Sequence, residues 1–214
     1  ETIDHSIYSD TRRDEMLLRE YIPKKAESDK IILFFHGGGW TIDSVETYDD
    51  MVKYFSDYLN LKIYSLEYSL APEKKFPFAL GEAEDAYNWL INNVTSANKI
   101  SLCGDSAGGH MAASLSYKLS KQDLALPNSM LLIYPPCDPS FTQESIQLYK
   151  DEYFLLHSDL AWFWNKLKEN EKNQYDPMLN LLKFDLKSKL PPAILITAGF
   201  DPICDEGSEY ANLL

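Results

Sequence analysis

Apolar positions along the chain fall into two rhythms. Ile31–Phe35 (IILFF) is apolar throughout, the pattern of a strand buried on both faces. Met130–Pro135 and Ala193–Gly199 also read as buried strands, Leu61–Tyr68 and Lys99–Gly104 read as strands, and Met16–Pro23 alternates as a strand does. Between these runs the period becomes helical. Residues 48–59 place Tyr48, Met51, Val52, Phe55, Tyr58 and Leu59 on one face. Residues 79–91 do so with Ala79, Ala83, Ala86, Tyr87 and Leu90, and residues 107–119 suit a third helix. Strands alternating with helices predict an α/β fold, a mostly parallel sheet with helices on both faces. Residues 136–190 break the rhythm. They are rich in Tyr, Phe, Trp and Lys and hold one predicted helix, Asp159–Asn170. They read as a small cap-like excursion from a single domain over residues 1–214, placed to roof part of a site.

Composition narrows the function. The chain has 214 residues, 45% of them apolar and 25% charged, enough for one folded core. Its net charge of −13 argues against nucleic acid or an anionic membrane surface as partner. No apolar run is long enough to span a membrane. Cys103, Cys137 and Cys204 are far apart and form no CxxC pair, so reduced thiols and a cytoplasmic location are expected. No signal peptide is visible, though an opening on Glu1 leaves room for an upstream segment that has been removed. No HExxH or clustered His/Asp set suggests a metal, and no GxGxxG follows Phe35, so no metal or cofactor is expected. Nothing in the sequence fixes the oligomeric state.

Two glycine-rich stretches carry the chemistry. Gly104–Gly108 (GDSAG) fits G-x-S-x-G between a predicted strand and a predicted helix, the context of a nucleophile elbow. The bland alternative is a tight turn in which Ser106 caps a helix. His36–Ser44 (HGGGWTIDS) follows the strand Ile31–Phe35. Three glycines in a row are entropically costly and need a reason. If Ser106 attacks an ester carbonyl, an oxyanion forms, and fixed backbone N–H groups stabilise it. Gly38 and Gly39 are the candidate donors from this loop, with Ala107 as the third.

These motifs resemble those of the hormone-sensitive-lipase-like, or acetyl-esterase-like, branch of α/β-hydrolases. HGGGW resembles that family's oxyanion loop and GDSAGG its elbow. EYSLAPEKKFP is similar to the segment after the next strand, and LPPAILITAGFDPICDEGSEYANLL to the acid-bearing strand and helix. The resemblance spans nearly the whole chain, with the motifs in the family's order. It implies a serine carboxylesterase acting on a small-molecule ester through an acyl-enzyme, with Asp201 as catalytic acid and His36 ordering the glycine loop. The aromatic roof suggests short acyl or aryl esters. Two positions depart from the pattern. Asp43 stands where the family usually has glycine, and Ser69 where it has arginine, removing an expected ion pair.

A larger departure is the general base. The family's histidine follows its acid in chain order, and no histidine follows Asp201. His110 is one helical turn past Ser106 and points away. His157 lies in the excursion, and His5 near the terminus is expected to be solvated. The chain therefore reads as an incomplete, poorly active form of a longer hydrolase. The missing part is expected to hold one more strand, the histidine loop and a closing helix. Without it, Ala193–Ala198 is an apolar sheet edge. Two other readings remain: an inactive ligand-binding protein on the same scaffold, and an amidase of the kynurenine-formamidase type.

Overall fold

The structure, a computed structural model, describes residues 1–8, 15–26, 28–151, 153–185 and 187–214. Seven strands form one sheet: β1 (Thr2–Tyr8), β2 (Glu15–Tyr21), β3 (Ile31–Phe35), β4 (Lys62–Glu67), β5 (Ile100–Asp105), β6 (Ser129–Ile133) and β7 (Ala193–Ile196). Their order across the sheet is β1-β2-β4-β3-β5-β6-β7. β1 and β2 pair antiparallel, as do β2 and β4, and the other neighbours are parallel. The helices are α1 (Asp49–Leu59), α2 (Phe78–Asn93), α3 (Ala107–Lys121), α4 (Glu144–Leu148), α5 (His157–Leu167) and α6 (Cys204–Leu213).

The continuous apolar strand β3 packs on both sides. On β3, Ile31, Leu33 and Phe35 face the larger core with α2 and α3, while Phe34 faces a smaller one with Val52 of α1. The α2 face is buried as the period predicts, at Ala79, Ala83, Ala86, Tyr87 and Leu90. The α1 face is not. Only Val52 and Ser56 are buried, and Met51, Tyr58 and Leu59 are exposed. The apolar stripe of α1 is wider than the sheet surface it meets, over β2 and β4.

Two expectations need correction. The strand β1 escaped the pattern because Ile7 is its only buried residue, and its ladder to β2 holds it. His5 on that strand is half-buried and partnered: Nε2 lies 2.8 Å from Glu20 Oε2, and its ring lies 5.3 Å from that of Trp89. The excursion also holds more order than one helix, since α4 and short 3-10 turns at Glu171–Tyr175 and Leu181–Lys183 accompany α5. β7 forms one edge of the sheet, with Ile194 and Ile196 exposed. No helix among the described residues is long and apolar enough to cross a membrane.

Strand order decides where a site can form. After β3 the chain crosses to β4 on one side, then returns to place β5 on the other. Loops leaving β3 and β5 diverge at that reversal, opening a crevice at their carboxyl ends. The glycine loop leaves β3, and Ser106 leaves β5, with Phe35 and Gly104 paired in register beneath them.

Candidate active site

Ser106 sits in a strained backbone conformation, φ 51 and ψ −121. Positive φ at a non-glycine residue costs on the order of 1–3 kcal/mol and persists only where its surroundings impose it. Here both glycines of the elbow impose it. A Cβ on Gly108 would overlap the Phe35 carbonyl oxygen, and a Cβ on Gly104 would overlap the Gly108 backbone. With both positions bare, β5 turns sharply into α3, and the Ser106 N–H donates to Ile133 O at 2.8 Å. The Ser106 side chain makes no capping bond to α3, which removes the helix-cap explanation. The hydroxyl instead lines a cleft of about 500 Å³.

Gly38 and Gly39 line the same cleft, with φ of 96 and 55. Thr41 N–H and Ile42 N–H both donate to Gly38 O at 3.0 Å, folding the loop tightly. A Cβ on Gly39 would run into the Phe163 ring of α5. Ala107, next to Ser106, is fully buried at the first position of α3. Beneath the loop, His36 is buried and stacks on Tyr68 at 4.2 Å, and its Nδ1 donates to Gly37 O at 2.8 Å. Burial lowers the His36 pKa, favouring the neutral ring. Tyr68 OH donates to His36 O at 2.9 Å. Asp43 takes up the left-handed conformation, φ 70, that suits the family's glycine, so the turn survives the departure. At the other departure, Ser69 Oγ donates to Glu82 Oε1 at 2.7 Å, a hydroxyl where an arginine was expected.

Asp201 lines the cleft opposite. Its Oδ1 accepts from Ile203 N–H at 3.1 Å, and burial raises its pKa. The turn is braced by α4: Ser145 Oγ donates to Pro202 O at 2.7 Å, and Ser145 N–H to Asp205 Oδ2 at 2.8 Å. The structure thus brings Ser106, Gly38, Gly39 and Asp201 to one cleft, with Leu155 and Phe163 of the excursion as part of its wall. No histidine lines it. His110 is fully enclosed between Trp40 and Trp164, donates to Leu179 O at 2.9 Å, and has its pKa pushed down to about 4 by burial. His157 packs on Phe141.

Sequence reasoning overlooked Tyr48 and Asp105. Tyr48 OH donates to Asp105 Oδ2 at 2.9 Å, tying the start of α1 to the elbow. Burial raises the Asp105 pKa. The signal was the acidic residue before the elbow serine. Tyr48 was hidden because its spacing matched a helix face.

Residues 32–214 match the alpha/beta hydrolase fold family. The chain belongs to that family. It is 31% identical over 188 residues to an ethyl acetate hydrolase of Pseudomonas putida, covering 86% of this chain and 59% of that protein. It is 30% identical over 210 residues to the carboxylic ester hydrolase LipN of Mycobacterium tuberculosis, covering 94% and 56%. This α/β hydrolase chain therefore spans a little over half the length of these two relatives. A solved hyperthermophilic esterase from Pyrobaculum calidifontis superimposes with a TM-score of 0.93 at 33% identity, over 100% of this chain and 72% of that one.

One buried carboxyl of this α/β hydrolase makes a pH prediction. Glu206 of α6 is fully buried and accepts from Cys137 N–H at 2.7 Å and Asp138 N–H at 3.3 Å. Burial pushes its pKa well up, and the charge of Asp138 adds to this. A carboxyl raised on folding contributes stability that is complete below its unfolded pKa and lost as pH rises through the folded one. Glu206→Gln keeps an acceptor for both N–H groups and abolishes the titration. Its Tm relative to wild type is expected to climb from about pH 5 to about pH 8. A flat difference would show that Glu206 does not titrate in this range.

Proposed function

We propose that this chain carries the nucleophile, acid and oxyanion loop of a serine carboxylesterase that cleaves short-chain acyl or aryl esters. The observation that carries the reading is the strained Ser106, its side chain free of the helix, in one cleft with Gly38, Gly39 and Asp201. Ser106 Oγ attacks the ester carbonyl carbon, and its proton passes to a general base. The N–H groups of Gly38, Gly39 and Ala107 stabilise the oxyanion, and His36 orders the loop that presents two of them. The intermediate collapses as the base returns the proton to the departing alcohol, leaving an acyl-serine. Water then repeats the sequence, releasing the carboxylic acid and Ser106. Asp201 orients the imidazole base and stabilises its charged form. None of His5, His36, His110 and His157 lines the cleft, which supports a base other than these four.

The ester substrates named for the two relatives support this chemistry over amide cleavage. The aromatic wall offers apolar contact to an acyl or aryl group, which supports substrates of that kind. A fluorophosphonate tests the assignment directly. Its label is expected on the tryptic peptide containing Ser106, as read by mass spectrometry. Labelling on another residue would overturn it.

A further inference from the structure

The cleft carries one sign of charge. Among the described residues, its charged lining residues are Asp43, Asp105 and Asp201, and no lysine, arginine or histidine lines it. Two of these have evident tasks. Asp105 ties Tyr48 to the elbow, and Asp201 is the proposed catalytic acid. Asp43 has no such task. Its Oδ2 lies 2.8 Å from where a Cβ on Gly38 would sit, so its carboxylate stands against the glycine that faces the reacting carbonyl. It is near enough that its charge disfavours ionisation of Tyr48 and Asp105. Its φ of 70 is a conformation that glycine adopts freely and aspartate only at a cost. The chain thus holds a strained carboxylate at the mouth of the oxyanion loop.

Aromatic rings complete that mouth. Phe154 and Phe200 line the cleft and are largely exposed, and Phe163 lies over Gly39. A carboxylate and the face of an aromatic ring both attract a cation, and both repel an anion. We propose that the cleft prefers esters bearing a cationic group near the scissile bond over neutral isosteres, and disfavours anionic esters, with Asp43 setting the preference. The proposal rests on the esterase reading.

The test compares acetate esters of choline, of 3,3-dimethylbutanol (carbon in place of the charged nitrogen) and of 2-sulfoethanol. Each rate is normalised to its hydroxide-catalysed rate, using the protein as the gene encodes it. The expected kcat/KM falls about tenfold from cationic to neutral ester and about tenfold again to anionic, and the spread narrows as salt is added. In Asp43→Asn and Asp43→Gly the cationic-to-neutral ratio is expected to fall to about twofold or less. Equal rates for the neutral and anionic esters, or an unchanged ratio in both variants, would overturn the proposal. Calorimetric binding of the three corresponding amides to Ser106→Ala reads the same order without turnover. Cationic preference in binding without any ester hydrolysis sinks the esterase reading and leaves the selectivity standing. Hydrolysis with equal binding of all three does the reverse.

Discussion

Ser106→Ala is expected to lower kcat for a short aryl ester about a million-fold, provided the protein has its general base. Among the described residues, no other side chain in the cleft offers a comparable nucleophile: the remaining side-chain oxygens are carboxylates and the phenols of Tyr48 and Tyr134, and burial raises the pKa of both phenols. What survives in the variant comes from binding and from the backbone donors. A protein whose cleft only binds ligand would lose no turnover at all.

A second consequence follows from the positions of the histidines. Without a base, the serine keeps an alcohol's pKa and stays protonated, so loss of the base costs about as much as loss of the nucleophile. A polypeptide of Glu1–Leu214 alone is therefore expected to turn over no faster than Ser106→Ala. Added imidazole should accelerate wild-type Glu1–Leu214 and leave the alanine version unchanged, because only the former has a proton for imidazole to take. Full activity from these residues alone would require His110 or His157 to leave its packing, and Trp40, Trp164 and Leu179 hold the first of these in place.

Most of the sheet was legible because β3, β6 and β7 are near-continuous apolar runs, a signal that survives without neighbours. The elbow and the glycine loop were legible because their bare backbones have few other uses. What stayed hidden depends on long-range pairing. β1 is defined by its ladder to β2 and has almost no buried side. The outer stripe of α1 matches a helical core face yet lies in solvent. The Tyr48–Asp105 bond joins residues 57 apart in sequence, so no local pattern announces it. Asp43 was visible as a departure from the family pattern, but its position against Gly38 needed coordinates.

The two loop glycines are expected to respond differently to alanine, and the contrast tests the oxyanion role. A Cβ on Gly38 would overlap the Ile42 carbonyl, which belongs to the turn that Thr41 and Ile42 close on Gly38 O. That backbone cannot yield without moving the Gly38 and Gly39 N–H groups, and a φ of 96 adds strain. Loss of one such donor costs about 3–4 kcal/mol of transition-state stabilisation, or 10²–10³ in kcat. Gly38→Ala should show that loss with KM nearly unchanged, because the donors act on charge that develops only in the transition state. On Gly39, whose φ of 55 is less extreme, the three atoms nearest to a Cβ all belong to the Phe163 ring, a side chain. Adding Phe163→Ala should therefore restore much of the kcat lost in Gly39→Ala and nothing of that lost in Gly38→Ala. Melting curves of each variant check that the sheet beneath is intact. If Gly38→Ala raises KM and spares kcat, the loop holds the ground-state ester and the oxyanion assignment fails.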